Sequence, residues 1–576
     1  MKKFKTRLMA ILLVFPLTIT GCNNNDSSNG RNDRTEIGAD SESKRSKKGT
    51  KFENMVYEHM ELTDYYELID AISDLCKDEE KSDEVLKKFD KMYTMYTNMG
   101  TNCTLASLYN SIDYSDQYYI DEYEYSYEAY LEMYNKLLET ARVIADSACS
   151  DAARDYWGDA LYNSFTMSTT DTVVKELLLK ESELIKQYTD IMYGDEIANE
   201  LAINDLEPDE KEEEYDEEYL KKMNEAVAPI YIELIKVRND IAKRYGYSSY
   251  AEYSYANSYY RDYTPQDALE YSKNVKEKIV PLFKQLYLDS ENEVDNFEAL
   301  DRHFSKMSDE KQLNILGKYL ERLDTTFVDA YNYMMKYDLY NISASDTKVA
   351  GGFTVYIDGY SSPFIYNKPE GDFYDMMSLE HEFGHFYEYY VTSGYANSSI
   401  DISEIYSQSL ELIYTNFYAE EFSEKVAQSA VDYTLMQRLN TVIEGCLYDE
   451  FQQIVYAMEE PTVEKINKVC CELYKEYGLI ASDDSAVEEY DWIMITHNFS
   501  QPMYYISYAV SVAPAFELWK ISMEDLDKAV DIYKNMINEK ESLTYTELLE
   551  KNGLVSPFEE EMLDELADTL RKYYGI

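Results

Sequence analysis

The chain has 576 residues, 45% hydrophobic and 14% aromatic, which excludes a disordered protein despite a mean hydropathy of -0.51. Its 111 acidic side chains outnumber the 54 basic ones, and a formal charge of -57 repels phosphate backbones and argues against nucleic acid as a partner. Only 19 Gly and 11 Pro interrupt the chain, too few turn residues for a sandwich or barrel, so the expected class is mainly α.

At the start, Lys2, Lys3, Lys5 and Arg7 precede an apolar run over residues 8–19 that contains Pro16. That run is shorter than the about 20 residues a membrane span needs, and it is expected to be a targeting signal. It ends in Ile19-Thr20-Gly21-Cys22, which resembles a bacterial lipobox. The resemblance implies a lipoprotein signal peptide over 1–21, acylation of Cys22, and a protein held outside the cell on the bacterial membrane by its N-terminal lipid alone. Residues 22–51, rich in Asn, Ser, Asp, Lys and Gly, have little to bury and are expected to form a flexible tether.

From residue 52 the apolar residues recur at three- and four-residue spacing, as over 82–99 and 127–148, which predicts an N-terminal helical domain over 52–215. The acidic run 207–214 with Pro208 marks either its boundary or the solvated start of a helix. Helical spacing resumes at Tyr219 and is expected to stop at Gly246. Between Thr347 and Asn367, β-branched and aromatic runs bounded by Gly, Ser and Pro predict a small sheet. The six cysteines downstream of Cys22 include no C-x-x-C pair and are expected to be buried free thiols.

The chain has only five histidines, yet two stand in His381-Glu382-Phe383-Gly384-His385. On a helix, positions i and i+4 share a face, so both imidazoles can meet one zinc ion while the ion keeps a position for water. Glu382 then lies beside that water and can take its proton as general base. A third ligand is needed. Glu404 falls in the first turn of the next amphipathic segment, where it could face the histidines or form a capping box with Asp401.

The two segments together, H-E-F-G-H and Glu404-Ile405-Tyr406-Ser407-Gln408-Ser409-Leu410-Glu411, resemble the zinc site of the thimet oligopeptidase and oligoendopeptidase F family. Gly351-Gly352-Phe353 and residues 362–367 are similar to that family's glycine turn and substrate-binding edge strand, and residues 238–247 to one of its helix ends. His497-Asn498-Phe499 and 502–509 are similar to its late histidine and tyrosine segment. The resemblance implies helical domains, with the catalytic one over 216–576, enclosing a deep active-site channel, and a small β-sheet next to the metal helix. It implies one zinc per chain on His381, His385 and Glu404. It also implies His497, Tyr505 and Tyr508 as donors to the oxyanion, and Gly351, Gly352, Phe364, Ile365 and Tyr366 at the substrate.

Two features depart from the family pattern. The stretch from His385 to Glu404 is short, so either the joining loop is trimmed or Glu404 is displaced. Met503 replaces an aromatic residue. The expected activity is endopeptidase cleavage of short unstructured oligopeptides, with a non-catalytic, peptide-binding surface lipoprotein as the alternative.

Overall fold

The computed structural model describes residues 48–167, 172–192, 218–288, 293–394, 399–479, 489–539 and 543–576, with Gly194 and Ile197. The expected signal, Cys22, the tether as far as residue 47 and the acidic run 207–214 lie outside them. Among the described residues no helix is long and apolar enough to cross a membrane.

Helices dominate, as the scarcity of turn residues predicts. Four of them, α1 (Thr63–Leu75), α2 (Ser82–Ile112), α3 (Gln117–Ala145) and α4 (Ser150–Met167), close around a core of their own. Tyr65, Ile72, Val85, Phe89, Met133 and Leu137 sit in it. The next helix, α5 (Thr172–Met192), packs instead along α6 (Leu220–Arg244), and its Leu184 and Tyr188 belong to a second, larger core that runs to the C-terminus. Leu105, Ala106 and Leu108 of α2 belong to this larger core as well, so the two cores meet along that helix. Gly246, at φ +86°, ends α6 as predicted, with Tyr247 N–H returning to Ala242 O at 3.0 Å.

The predicted sheet is present and has three strands, β1 (Tyr340–Asn341), β2 (Gly352–Ile357) and β3 (Ser362–Asn367), in the order β1-β3-β2. β3 pairs parallel with β1 and antiparallel with β2, in register from Gly352 with Asn367 to Ile357 with Ser362. Next come α7 (Tyr374–Thr392), which lies against β2 and β3, and α8 (Ile400–Tyr414), α9 (Glu424–Tyr456) and α10 (Ile506–Glu524). α8 is wedged among the other three and buried along almost its whole length. Yet it carries Asp401, Glu404, Ser407, Gln408, Ser409 and Glu411, and interior polar side chains need partners to persist. Those partners form the candidate site. Cys76, Cys103, Cys149, Cys446 and Cys470 are buried thiols and Cys471 is half-buried, all six unpaired with one another.

Candidate active site

His381, Glu382 and His385 lie on α7 and Glu404 on α8. The two helices can meet because Gly384 faces α8: a Cβ there would stand 2.5 Å from Ser407 Cα and 2.9 Å from Ser407 N. Only a glycine permits that approach. Glu404, one turn before Ser407, consequently reaches the histidines, with its Oε2 3.5 Å from His381 Nε2 and 3.7 Å from His385 Nε2. One donor atom from each of His381, His385 and Glu404 lies within 4.8 Å of the others. The short connection thus leaves Glu404 beside both histidines. Nor does a capping box form: α8 has no side-chain cap, and Asp401 turns to the buried Arg261 at 3.4 Å and accepts from Tyr263 Oη at 3.1 Å.

Two imidazoles and a carboxylate are a donor set that zinc takes, and the surroundings prepare them for it. His381 Nδ1 lies 2.7 Å from Glu411 Oε1, which also accepts from Arg438 Nη1 at 3.1 Å, so Nε2 is left to face the cluster. His385 Nδ1 is 3.3 Å from Ser403 Oγ, which in turn bonds Glu388. Burial opposes a charge on His385, but Glu388, Glu404 and Glu382 outweigh it and push its pKa up to about 9. Such a site attracts a cation.

Glu382 is buried beside the cluster, and burial raises its carboxyl above the ordinary range while the two imidazoles and Thr354 pull it down. Thr354 Oγ1, on β2, donates to Glu382 Oε2 at 2.7 Å and to its backbone carbonyl at 2.9 Å. That ties the carboxylate to the sheet.

The late segment supplies the opposite wall. His497 is buried with neither ring nitrogen hydrogen-bonded, and burial pushes its pKa down to about 3, which keeps it neutral. Its ring centroid lies 5.0 Å from Tyr504, 5.2 Å from Tyr505 and 6.1 Å from Tyr508. The tyrosines do not all face the same way. Tyr504 Oη donates to Glu404 Oε1 at 3.1 Å, and the Tyr508 phenol, held up first by burial, also feels Glu404 and Glu382. Tyr505 packs edge-on against Tyr448, and its phenol feels Glu444 and Tyr374 rather than the cluster. Tyr504, left out of the sequence-based set, therefore occupies the place expected of Tyr505. The cause is Met503, whose φ of +66° turns the backbone left-handed just ahead of α10 and breaks helical counting. Gln452 Oε1 holds that turn by accepting Met503 N–H at 2.7 Å, and Tyr259 Oη donates to Pro502 O at 3.0 Å.

A second anchor lies deeper. The fully buried Arg238 donates from Nη1 to Tyr456 Oη at 2.8 Å and to Asn498 O at 3.3 Å, from Nη2 to Phe499 O, and from Nε to Glu181 Oε1 at 2.6 Å. It holds the two carbonyls that follow His497 against α5, α6 and α9.

The expected substrate strand needs correction. Phe364, Ile365 and Tyr366 are completely buried on β3, the central strand, whose two sides are taken by β1 and β2. Phe364 packs on Phe52 and Tyr366 Oη donates to Ser111 O and Val349 O, so these residues build the core and cannot pair with a peptide. Among the described residues the sheet has two edge strands, the two-residue β1 and β2, and β2 is the one that reaches Glu382, through Thr354. Gly351 and Gly352 stand half-buried at its start, and Gly352 is required by packing, because a Cβ would fall 1.9 Å from Asn367 Oδ1.

Comparison with known proteins agrees with this architecture. Residues 52–171, the four-helix unit and the approach to it, match the Peptidase M3 N-terminal domain. Solved structures share the fold. A chain provisionally named oligoendopeptidase F is 22% identical at a TM-score of 0.71, covering 91% of this chain and 99% of that one. PZ peptidase A, solved with an inhibitor, is 21% identical at a TM-score of 0.70, with the same coverage. Oligoendopeptidase-F from Enterococcus faecium is 14% identical at a TM-score of 0.52, covering 90% and 99%. No curated protein matches the chain by sequence. The resemblance read from segments between residues 238 and 509 is thus met by an independent match at the N-terminus and by a fold shared over 91% of the chain.

Proposed function

We propose that this chain, whose N-terminal domain and fold are those of the M3 oligopeptidases, is a zinc-dependent endopeptidase acting on short unstructured oligopeptides. One observation carries the reading: the donors of His381, His385 and Glu404 converge within 4.8 Å, with Glu382 beside them and outside the ligand set. His381, His385 and Glu404 would hold one zinc ion per chain. When bound, zinc supplies Lewis-acid polarisation of the scissile carbonyl and makes water a nucleophile near neutral pH.

The chain's own groups do the rest. Glu382 takes the proton of the attacking water and delivers it to the leaving amine, and a basicity raised by burial favours the uptake. Thr354 occupies Glu382 Oε2 and leaves Oε1 for the proton. His497, neutral and with both nitrogens unpaired, and Tyr508 donate to the carbonyl oxygen as negative charge builds on it. Tyr504 keeps Glu404 oriented. The substrate backbone pairs with the open side of β2 near Thr354, which binds main chain and tolerates many sequences.

Helices precede and follow the metal motif in the chain, which supports a walled cleft, and a folded protein would first have to yield a segment against a stability of about 5 to 15 kcal/mol. Unstructured peptides enter and folded proteins do not. The basic start, apolar run and Ile19-Thr20-Gly21-Cys22 support an extracytoplasmic protein anchored to the membrane through lipid on Cys22, and Cys22→Ser should release it from the membrane fraction. The alternative, a surface lipoprotein that binds peptides without turnover, would have no use for a buried carboxylate beside the ligand set. Incubating the full chain with a mixed peptide library, with and without a chelator, tests the reading: chelator-sensitive cleavage is expected, and intact peptides in zinc-replete buffer would refute it.

A further inference from the structure

The charge of the molecule and its distribution around the cleft point to a substrate class. The chain carries -57 formal charges. Around the metal cluster stand Glu382, Glu404, Glu388 and Glu411, and Arg438 pairs with Glu411 at 3.1 Å.

A fifth carboxylate lies farther along the same strand. Asp358 follows β2 directly, four residues beyond Thr354, about 13 Å in extended chain. A peptide paired with the open side of β2 would pass it. Asp358 is exposed as a residue, although the protein around its carboxyl raises it above the ordinary range by burial, and among the described residues it forms no ion pair and no side-chain hydrogen bond. Two phenols lie close enough to feel it. Tyr356 and Tyr389 pack at 5.8 Å between centroids, and the phenols of Tyr389 on α7 and Tyr130 on α3 both feel the Asp358 charge in addition to burial. An unpaired carboxylate with tyrosines nearby suits the stem and charged head of a lysine or arginine. Even a bound dication would leave the cleft, counted over these five carboxylates and Arg438, two charges negative.

We propose that the cleft selects cationic peptides, drawn in by the field of the chain and read by Asp358, which contacts a Lys or Arg side chain a few residues from the scissile bond. The inference rests on the peptidase reading and goes beyond it, because neither zinc nor main-chain pairing distinguishes a basic peptide from an acidic one. A field of this kind raises association rates about 10- to 1,000-fold and fades with ionic strength.

The experiment uses zinc-loaded full chain and three quenched-fluorescent peptides that differ only in carrying three Lys, three Gln or three Glu. At about 20 mM salt kcat/KM should favour the Lys peptide over the Glu peptide at least about tenfold, and at about 0.5 M, where screening reaches within a few ångströms, the gap should shrink severalfold. D358N should take up to about fivefold from the Lys peptide, the range of a partly exposed ion pair, and leave the Gln peptide unchanged. Equal rates, or a preference indifferent to salt, would overturn the proposal, and an unaltered Lys preference in D358N would remove Asp358 from it. If no peptide is cut, binding to zinc-loaded E382Q separates the two claims. The same Lys-over-Glu order would uphold the charge selection while refuting hydrolysis, and absence of binding would overturn both.

Discussion

Replacing Gly384 by Ala adds one methyl group at the crossing of the two ligand helices. The new Cβ would stand 2.5 Å from Ser407 Cα, roughly 0.9 Å inside ordinary contact. The obstacle is backbone, so no side chain can swing away and α7 and α8 must move apart. Glu404 moves with Ser407, while His381 and His385 stay on the other helix. Overpacking of this kind costs about 1 to 3 kcal/mol of stability. A displacement near 1 Å at a catalytic constellation costs about 100-fold in rate, and zinc affinity should fall by about 10- to 100-fold, the range seen when ligand supports are lost. Gly317→Ala is the control, because its Cβ would meet only the Tyr331 ring, at 3.0 Å, and that side chain can yield. Zinc affinity by competition with a chromophoric chelator, together with kcat/KM on one peptide, reads the outcome. Parental affinity and turnover in G384A would refute the argument that this glycine sets the distance from Glu404 to the histidines.

Three further outcomes follow from the late segment. Tyr504→Phe removes a buried hydrogen bond to a charged ligand and should cost about 1.5 to 3 kcal/mol in zinc affinity or kcat/KM, whereas Tyr505→Phe should leave both nearly unchanged; equal losses would contradict the assignment. Arg238→Lys keeps the charge but cannot reproduce the fork that holds Asn498 O and Phe499 O, so kcat should fall about 10- to 100-fold with zinc content unchanged, read by turnover and elemental analysis. His497, held near 3 by burial, takes up a proton on unfolding once the pH drops below about 6.5; the parent should lose up to about 1.4 kcal/mol per pH unit from there down, and His497→Phe should flatten that acid limb in denaturant titrations.

The parts of this molecule legible in its sequence were those encoded locally. The His pair and Glu382 lie within one helical turn, and Gly246, Gly351 and the β-branched run before Asn367 mark their own elements. What escaped reading depends on partners distant in the chain. β3 has the composition of a substrate edge, but the two-residue β1 that covers it carries no strand pattern of its own. Tyr505 and Tyr504 are indistinguishable by spacing until the left-handed turn at Met503 is known, and Gln452, which holds the turn, is 51 residues upstream. α5 has the same apolar spacing as the helices before it, so nothing local says that it joins the second core. Gly384 resembles any helical glycine until α8 lies against it.

The central claim is that Glu382 works as a base beside a metal held by its neighbours, and Glu382→Gln tests it with one measurement: turnover per bound zinc on a mixed peptide pool. Gln keeps the size and polarity, can still accept from Thr354, and leaves His381, His385 and Glu404 untouched. The variant should retain about one zinc per chain and lose about 10²- to 10⁴-fold in turnover. Parental turnover with zinc in place would contradict the mechanism.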